Sequence, residues 1–358
     1  MNLPPGKRSW EIRSFRPGDE PAVSRLFRTV FGRTVAEGYW EWKLRAFSGA
    51  DENEWIAEAG GEIVGHYAVT PVRFKLGDRR AIVPHGCDAM THPAYRRQGI
   101  LTALGRRANE VWRRAGAPFQ IGFHYGGWGS VREGLGWRAL IRLVWVKHWI
   151  RPFASAAGKL GIPAVPAWAR ADKLFHRFVG LGHRGSGASA DDGGIRLERI
   201  SHADERLDRL WERLSPNYGV LAVRDQAWVR WRYLEMPGAL HQVILATYGD
   251  EPVGYVALRV VPEAATARAT IVDLFVAPGD VVAANALLAR AIASAYESGA
   301  GSLAALAAPE SPVFRRLTQA GFWRARHGYD FSIVPYTSPD PVPPGRDWLV
   351  TGAEGDVI

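Results

Sequence analysis

The stretch Thr91-His92-Pro93-Ala94-Tyr95-Arg96-Arg97-Gln98-Gly99-Ile100-Leu101 brings a proline turn, two adjacent arginines and a glycine together just ahead of an amphipathic run. Leu101, Leu104, Ala108, Val111 and Trp112 recur at steps of three and four residues, the spacing of one helix face. The turn therefore feeds a helix N-terminus, where backbone N–H groups lack intrahelical partners and the macrodipole is positive. Gly99 permits close approach and Arg96 and Arg97 add charge, so this corner, with Thr102 in the first helical turn, suits a phosphate group.

The elements that must position this turn read as a mixed α/β unit of the α+β kind. Glu11 to Phe15 is a short strand, followed by a loop at Pro17-Gly18-Asp19 and a helix with Val23, Leu26 and Phe27 inward. Trp55 to Ala59 and Ile63 to Val69 form a hairpin at Gly60-Gly61, and Val72 to Phe74 and Ala81 to Thr91 are further strands. Behind the helix, Pro118 to His124 is a strand and Leu135-Gly136-Trp137 ends a short helix. Arg138 to Val146 is expected to close the unit as its last strand.

At these residues the sequence resembles the GNAT (Gcn5-related N-acetyltransferase) acyltransferases, whose coenzyme A motif reads Arg/Gln-x-x-Gly-x-Gly/Ala. Here the motif runs from Arg96 to Leu101, with leucine where the family has a small residue. The resemblance implies acetyl-CoA as the cofactor, held by Ala89, Met90 and Thr91 on the strand and by Arg96, Arg97, Gln98, Gly99, Ile100, Leu101 and Thr102. It also implies an N-acetyltransferase that passes the acetyl group directly to a primary amine, of a small molecule or an amino sugar. Such a transfer needs a neutral amine, a stabilised oxyanion and a proton for the leaving thiolate. Many GNAT enzymes keep a tyrosine acid at the position that is Arg132 here and Leu317 in the second half, so neither half retains it. Asp88, His124 and Tyr125 are the candidate catalytic residues in its place, with His85 weighed beside them, and Cys87 reads as a packing residue.

The second half repeats the first. Trp228-Val229-Arg230-Trp231-Arg232 echoes Tyr39-Trp40-Glu41-Trp42-Lys43, and Val253-Gly254-Tyr255 answers Val64-Gly65-His66 at the same distance along the chain. Asp273 to Pro278 matches Asp88 to Pro93. In the second copy the turn carries no arginine and has Asp280 where a phosphate would be repelled, so its coenzyme motif is degenerate. The expected organisation is two tandem GNAT folds, each a twisted, mostly antiparallel sheet flanked by helices. Residues 1–150 are the N-terminal domain, 151–194 a helical segment and Gly/Ser-rich linker, 195–340 the C-terminal domain and 341–358 a tail.

At 358 residues, 47% of them hydrophobic and 23% charged, the chain can bury two cores. It has no apolar run long enough for a membrane span. Met1 to Trp10 shows no signal-peptide pattern, so the expected compartment is the cytoplasm. One cysteine excludes an intramolecular disulfide and a cysteine-built zinc cluster, and no metal is expected. The net charge of +9 comes from arginines spread through both halves, a pattern that argues against nucleic acid as a partner. Two other readings compete: an aminoacyl transferase of the peptidoglycan type fed by charged tRNA, and a non-catalytic acyl-CoA-binding protein. The intact Arg96 to Gly99 motif favours the acetyltransferase. Trp348-Leu349-Val350 is too apolar to leave in water, so the tail is expected to pack back, with Glu354, Asp356 or the terminal carboxylate receiving a cationic amine.

Overall fold

A computed structural model describes residues 9–45, 52–125, 129–160, 162, 165–178, 194–238, 241–263, 266–337 and 342–355. In chain order the elements are β1 (Glu11–Ser14), α1 (Glu20–Phe31), α2 (Tyr39–Arg45), β2 (Glu54–Ala59), β3 (Glu62–Leu76), β4 (Arg79–Thr91), α3 (Ile100–Arg114), β5 (Phe119–His124), α4 (Gly129–Gly134) and β6 (Arg138–Trp149). They continue with α5 (Pro152–Lys159), α6 (Pro166–Phe178), β7 (Ile195–Ile200), α7 (Glu205–Leu214), β8 (Val220–Ala222), α8 (Gln226–Val229), β9 (His241–Tyr248) and β10 (Glu251–Val261). Last come β11 (Ala267–Val276), α9 (Val281–Glu297), β12 (Ala300–Ala307), α10 (Pro312–Gln319), β13 (Trp323–Pro335) and β14 (Trp348–Leu349). Two compact units result, one of residues 1–141, 236–238 and 330–345, the other of residues 142–235, 239–329 and 346–358.

The first unit has the sheet order β1-β2-β3-β4-β5, antiparallel except for the β4–β5 pair. The β2–β3 hairpin turns at Gly60-Gly61, and β3 runs unbroken through Pro71 because its pairing with β2 ends at Ala68. One sheet face packs Trp55, Tyr67 and Val69 against Ile100, Leu104, Ala108 and Trp112 of α3. The other packs Ile56, Ala68 and Met90 against Val23, Leu26 and Phe27 of α1 and Trp40 and Leu44 of α2. Helices α1 and α3 thus bury the faces that their apolar spacing marks.

Arg138 to Val146 does not close this sheet. β5 pairs instead with residues 330–335 of β13, Phe331 opposite Phe123 and Ile333 opposite Ile121. The second unit mirrors the arrangement: its order is β7-β9-β10-β11-β12, and its closing strand is β6, Val146 opposite Ala305 and His148 opposite Leu303. Each unit is therefore completed by a strand from the other half of the chain. Apolar alternation marks a strand and its buried face but carries no address for its partner, since any antiparallel segment of matching face can take an open edge.

The tail belongs to the second unit. Trp348 and Leu349 pair in parallel with Val220 and Leu221 of β8, and Trp348, Leu349 and Val350 are buried. Glu354, however, does not face an acceptor. Its carboxylate is buried and meets the Arg224 guanidinium at 2.5 Å, and Arg224 also holds Asp273 at 2.9 Å. Burial pushes the Glu354 carboxyl above its usual range, and the Arg224 guanidinium and the Thr351 N–H, which donates at 2.9 Å, partly offset the loss of water. Arg232 donates to the carbonyls of Ala353, at 2.9 Å, and Gly355, at 2.5 Å. Asp356, the terminal carboxylate and the Gly/Ser-rich linker at 182–193 lie outside the described residues.

Two outcomes test this topology. A fragment of residues 1–150 lacks the strand that covers β5 and is expected to show no cooperative thermal transition by circular dichroism; a sharp melt would contradict the exchange of closing strands. Arg224→Met leaves Asp273 and Glu354 buried without their guanidinium and should cost about 3–5 kcal/mol in urea unfolding, whereas a loss below about 1 kcal/mol would show the pair to be dispensable.

Candidate active site

A parallel pair of strands that separates leaves ladder groups open in the middle of a sheet, and β4 and β5 do so almost at once. They share one register pair, His85 with Ile121, where β11 and β12 of the second unit share five. Past His85, the residues Gly86, Asp88 and Ala89 of this central strand remain partly exposed, while 271–276 of β11 are buried throughout. Between Cys87 and Met90 β4 also carries one extra residue against the step from His66 to Ala68 on β3, and Asp88 there adopts a left-handed φ of 47°. Such bulges re-aim side chains beside functional clefts.

Asp88 is held from two directions. The Lys43 ammonium of α2 lies 2.6 Å from its carboxylate, with both side chains nearly buried, and the buried His66 donates from Nδ1 to its carbonyl at 2.9 Å. The other nitrogen of His66 lies 3.3 Å from Glu54 Oε1. His124, at the end of β5, packs its ring edge-on to Trp137 at 4.7 Å and is buried. Tyr125, just beyond, is 62% exposed. Of the three candidate catalytic residues, Asp88 thus lies on β4 and the other two at the far end of β5. Arg132, where a tyrosine acid was sought, forms an ion pair at 2.9 Å with Asp330 of β13.

Downstream of Thr91 the chain turns through Pro93, with the His92 side chain accepting from the Ala94 N–H at 3.2 Å. Arg97 and Gly99 both take positive φ, 61° and 86°, and α3 begins at Ile100 with no side chain capping it. Its first amides therefore lack a partner from the chain's own N-cap. A Cβ built on Gly99 would meet nothing within 4 Å, so the turn opens onto free space. Arg96 and Arg97 are exposed beside it, and Arg96 Nε reaches back to the Thr91 carbonyl at 3.4 Å. The strand residues Ala89 to Thr91 and the loop residues Arg96 to Thr102 consequently share one corner. Ile100 and Met90 are buried in opposite cores, so either could offer a ligand only its backbone. This uncapped turn fits the phosphates of coenzyme A: free donors, two guanidinium groups and no side chain in the way.

The matching helix of the second unit is closed. Asp280 caps α9, its carboxylate accepting from the Ala283 N–H at 2.9 Å, so a fixed anion already occupies the position. Most of the arginines along α3 are also engaged. Arg107 pairs with Glu52 at 3.3 Å and Glu110 at 3.7 Å, Arg114 pairs with Glu110, and Arg113 lies over the Tyr336 ring at 5.4 Å.

Sequence reasoning passed over Lys43, His66 and Glu54. Lys43 had a signal: it occupies the place in the first copy that Arg232 holds in the second, and both are buried cations.

A family profile described as an acetyltransferase (GNAT) domain matches residues 11–138. None of the curated proteins matches this chain in sequence. Among solved structures, the chain is similar to a GCN5-related N-acetyltransferase from Anabaena variabilis, at 12% identity over 91% of this chain and 72% of that one, with a TM-score of 0.61. A GCN5-related N-acetyltransferase from Kribbella flavida gives 15% identity, 91% and 71% coverage and a TM-score of 0.57. Saccharomyces cerevisiae N-myristoyltransferase with bound myristoyl-CoA gives 10%, 93% and 84%, and 0.60. At these identities the likeness is one of fold. Residues 11–138 are thus similar in sequence to an acetyltransferase (GNAT) domain.

Gly99→Val should raise the acetyl-CoA dissociation constant at least tenfold in a protein that still folds, because a branched side chain at positive φ both strains the turn and enters the open space. Isothermal titration checks this, and an unchanged affinity in a folded variant would remove the turn from the site.

Proposed function

We propose that the protein transfers an acetyl group from acetyl-CoA directly to a primary amine of a small molecule or amino sugar, and that the donor is bound by the first unit alone. The observation that carries the asymmetry is the contrast between two helix starts: α3 opens at Gly99 without a cap, while α9 is capped by Asp280. The central strands differ in the same sense, since β4 keeps partial exposure at Gly86, Asp88 and Ala89. Acetyl-CoA supplies the thioester that an amine can attack. The chain's own part begins with the amides after Gly99 and the Arg96 and Arg97 guanidinium groups, which would hold the phosphates. The backbone of Ala89, Met90 and Thr91 would hold the pantetheine arm and the thioester carbonyl.

Asp88 would take a proton from the acceptor ammonium so that the free amine can attack; supporting this reading are the bulge that turns Asp88 out of the regular ladder and the Lys43 ammonium 2.6 Å from its carboxylate, which fixes its orientation. His124 and Tyr125 stand at the end of β5 as candidates for returning a proton to the departing thiolate. Arg132 cannot donate one at neutral pH but can stabilise negative charge, with Asp330 fixing its orientation.

Calorimetric titration should give one acetyl-CoA per chain, and free thiol should appear when the protein and acetyl-CoA are mixed with a panel of small amines and amino sugars. Two equal sites would overturn the asymmetric reading. Donor binding without thiol release across the panel would favour a binding protein over an enzyme.

A further inference from the structure

Next to the single register pair of β4 and β5, a chain of buried polar groups runs across the first unit. Gln120 of β5 is fully buried, and its Nε2 donates to the Tyr67 hydroxyl on β3 at 2.7 Å. Its Oε1 accepts from the Tyr336 hydroxyl at 2.6 Å, and that hydroxyl also lies 3.0 Å from Asn109 Oδ1 on α3. Asn109 Nδ2 in turn donates to the Leu135 carbonyl at 3.3 Å. Burial drives the Tyr67 and Tyr336 hydroxyls well above their ordinary range, so both stay protonated and act as hydrogen-bonding groups.

The position of this chain is what gives it consequence. Gly86 is the first β4 residue past the shared pair, and a Cβ there would fall 2.4 Å from Gln120 Nε2 and 2.5 Å from the Tyr67 hydroxyl. The Tyr67–Gln120 pair therefore fills the space that a side chain on β4 would take, at the point where the strands begin to part. Tyr336 reaches this point from the far end of the chain. It follows the closing strand 330–335, its N–H donates to the Pro118 carbonyl at 3.0 Å, and it touches α3 through both Asn109 and the Arg113 guanidinium over its ring. One hydroxyl thus ties the helix whose start would hold phosphates to the strand pair whose parting would admit the pantetheine arm.

We infer that Tyr336, through Gln120 and Tyr67, is a positioning residue that sets the parting of β4 and β5, so that the residue following the closing strand 330–335 tunes how the first unit holds the pantetheine arm. This rests on the first unit being the donor site. Removing the Tyr336 hydroxyl leaves the buried Gln120 Oε1 without the O–H it accepts from, and the strand pair can relax toward closer pairing. The α3 start, whose donors are backbone amides, is untouched.

The test compares two ligands on the full-length protein by calorimetry: acetyl-CoA, and the phosphoadenosine diphosphate moiety of coenzyme A without the pantetheine arm. Tyr336→Phe should weaken acetyl-CoA at least tenfold and change the nucleotide moiety less than twofold. Should that variant not fold, Tyr67→Phe, which alters the other end of the same chain, is measured in its place with the same expectation. Equal weakening of both ligands, or of neither, would overturn the inference and leave Tyr336 as a structural residue. Wild-type protein that binds neither ligand would instead overturn the donor assignment on which it rests.

Discussion

Backbone groups in the middle of a sheet need partners, and in the first unit the pairing of β4 with β5 ends after a single register pair. Once β4 leaves β5 after His85, the strand can persist only if its open groups meet water, a side chain or a ligand. The partial exposure of Gly86, Asp88 and Ala89, the left-handed bulge at Asp88 and the buried Tyr67–Gln120–Tyr336 chain all follow from that one requirement. The uncapped start of α3 adds a second set of open donors a few residues further on. The parting of β4 from β5 and the uncapped α3 start beside Arg96 and Arg97 are the two features on which the proposed donor site rests.

The second unit uses the same strand order and resolves the same needs internally. Asp273, the counterpart of Asp88, receives Arg224, Thr351, Tyr255 and Tyr233, and all of these groups are buried. Thr351 and Glu354 come from the tail and complete their own capping box, so the segment carries its own local structure into the cluster. Asp280 does for α9 what a bound anion would do. A cluster of this kind is held by geometry: the guanidinium offsets two buried carboxylates only while every hydrogen bond is in place.

Much of the fold is legible in the residues. The α3 face, the Gly60-Gly61 hairpin and the turn at Pro93 are local patterns, and local patterns survive being read alone. Even the weak signal at Asp280 is local, because a carboxylate one residue before a helix has a direct electrostatic meaning. What could not be read is whatever depends on partners distant in sequence. Nothing in Arg138 to Val146 says that it pairs with β12, and nothing near Asp88 says that Lys43 meets it. Glu354 is the clearest case: an acidic residue near an end looks available for a cation, and the cation it finds is Arg224 of its own unit. Tyr336 had no pattern at all to mark it, since its partners Asn109 and Gln120 lie more than two hundred residues earlier.

The central claim is that the backbone of β4 past His85 and of the α3 start, in the first unit and in that unit alone, takes up the donor. Amide hydrogen exchange with and without acetyl-CoA reads those groups directly. The account predicts slower exchange over residues 86–91 and 97–102 on adding acetyl-CoA, with no change over 271–276 or at the start of α9. Slowed exchange at the α9 start, or unchanged exchange at the start of α3 under saturating acetyl-CoA, would contradict it.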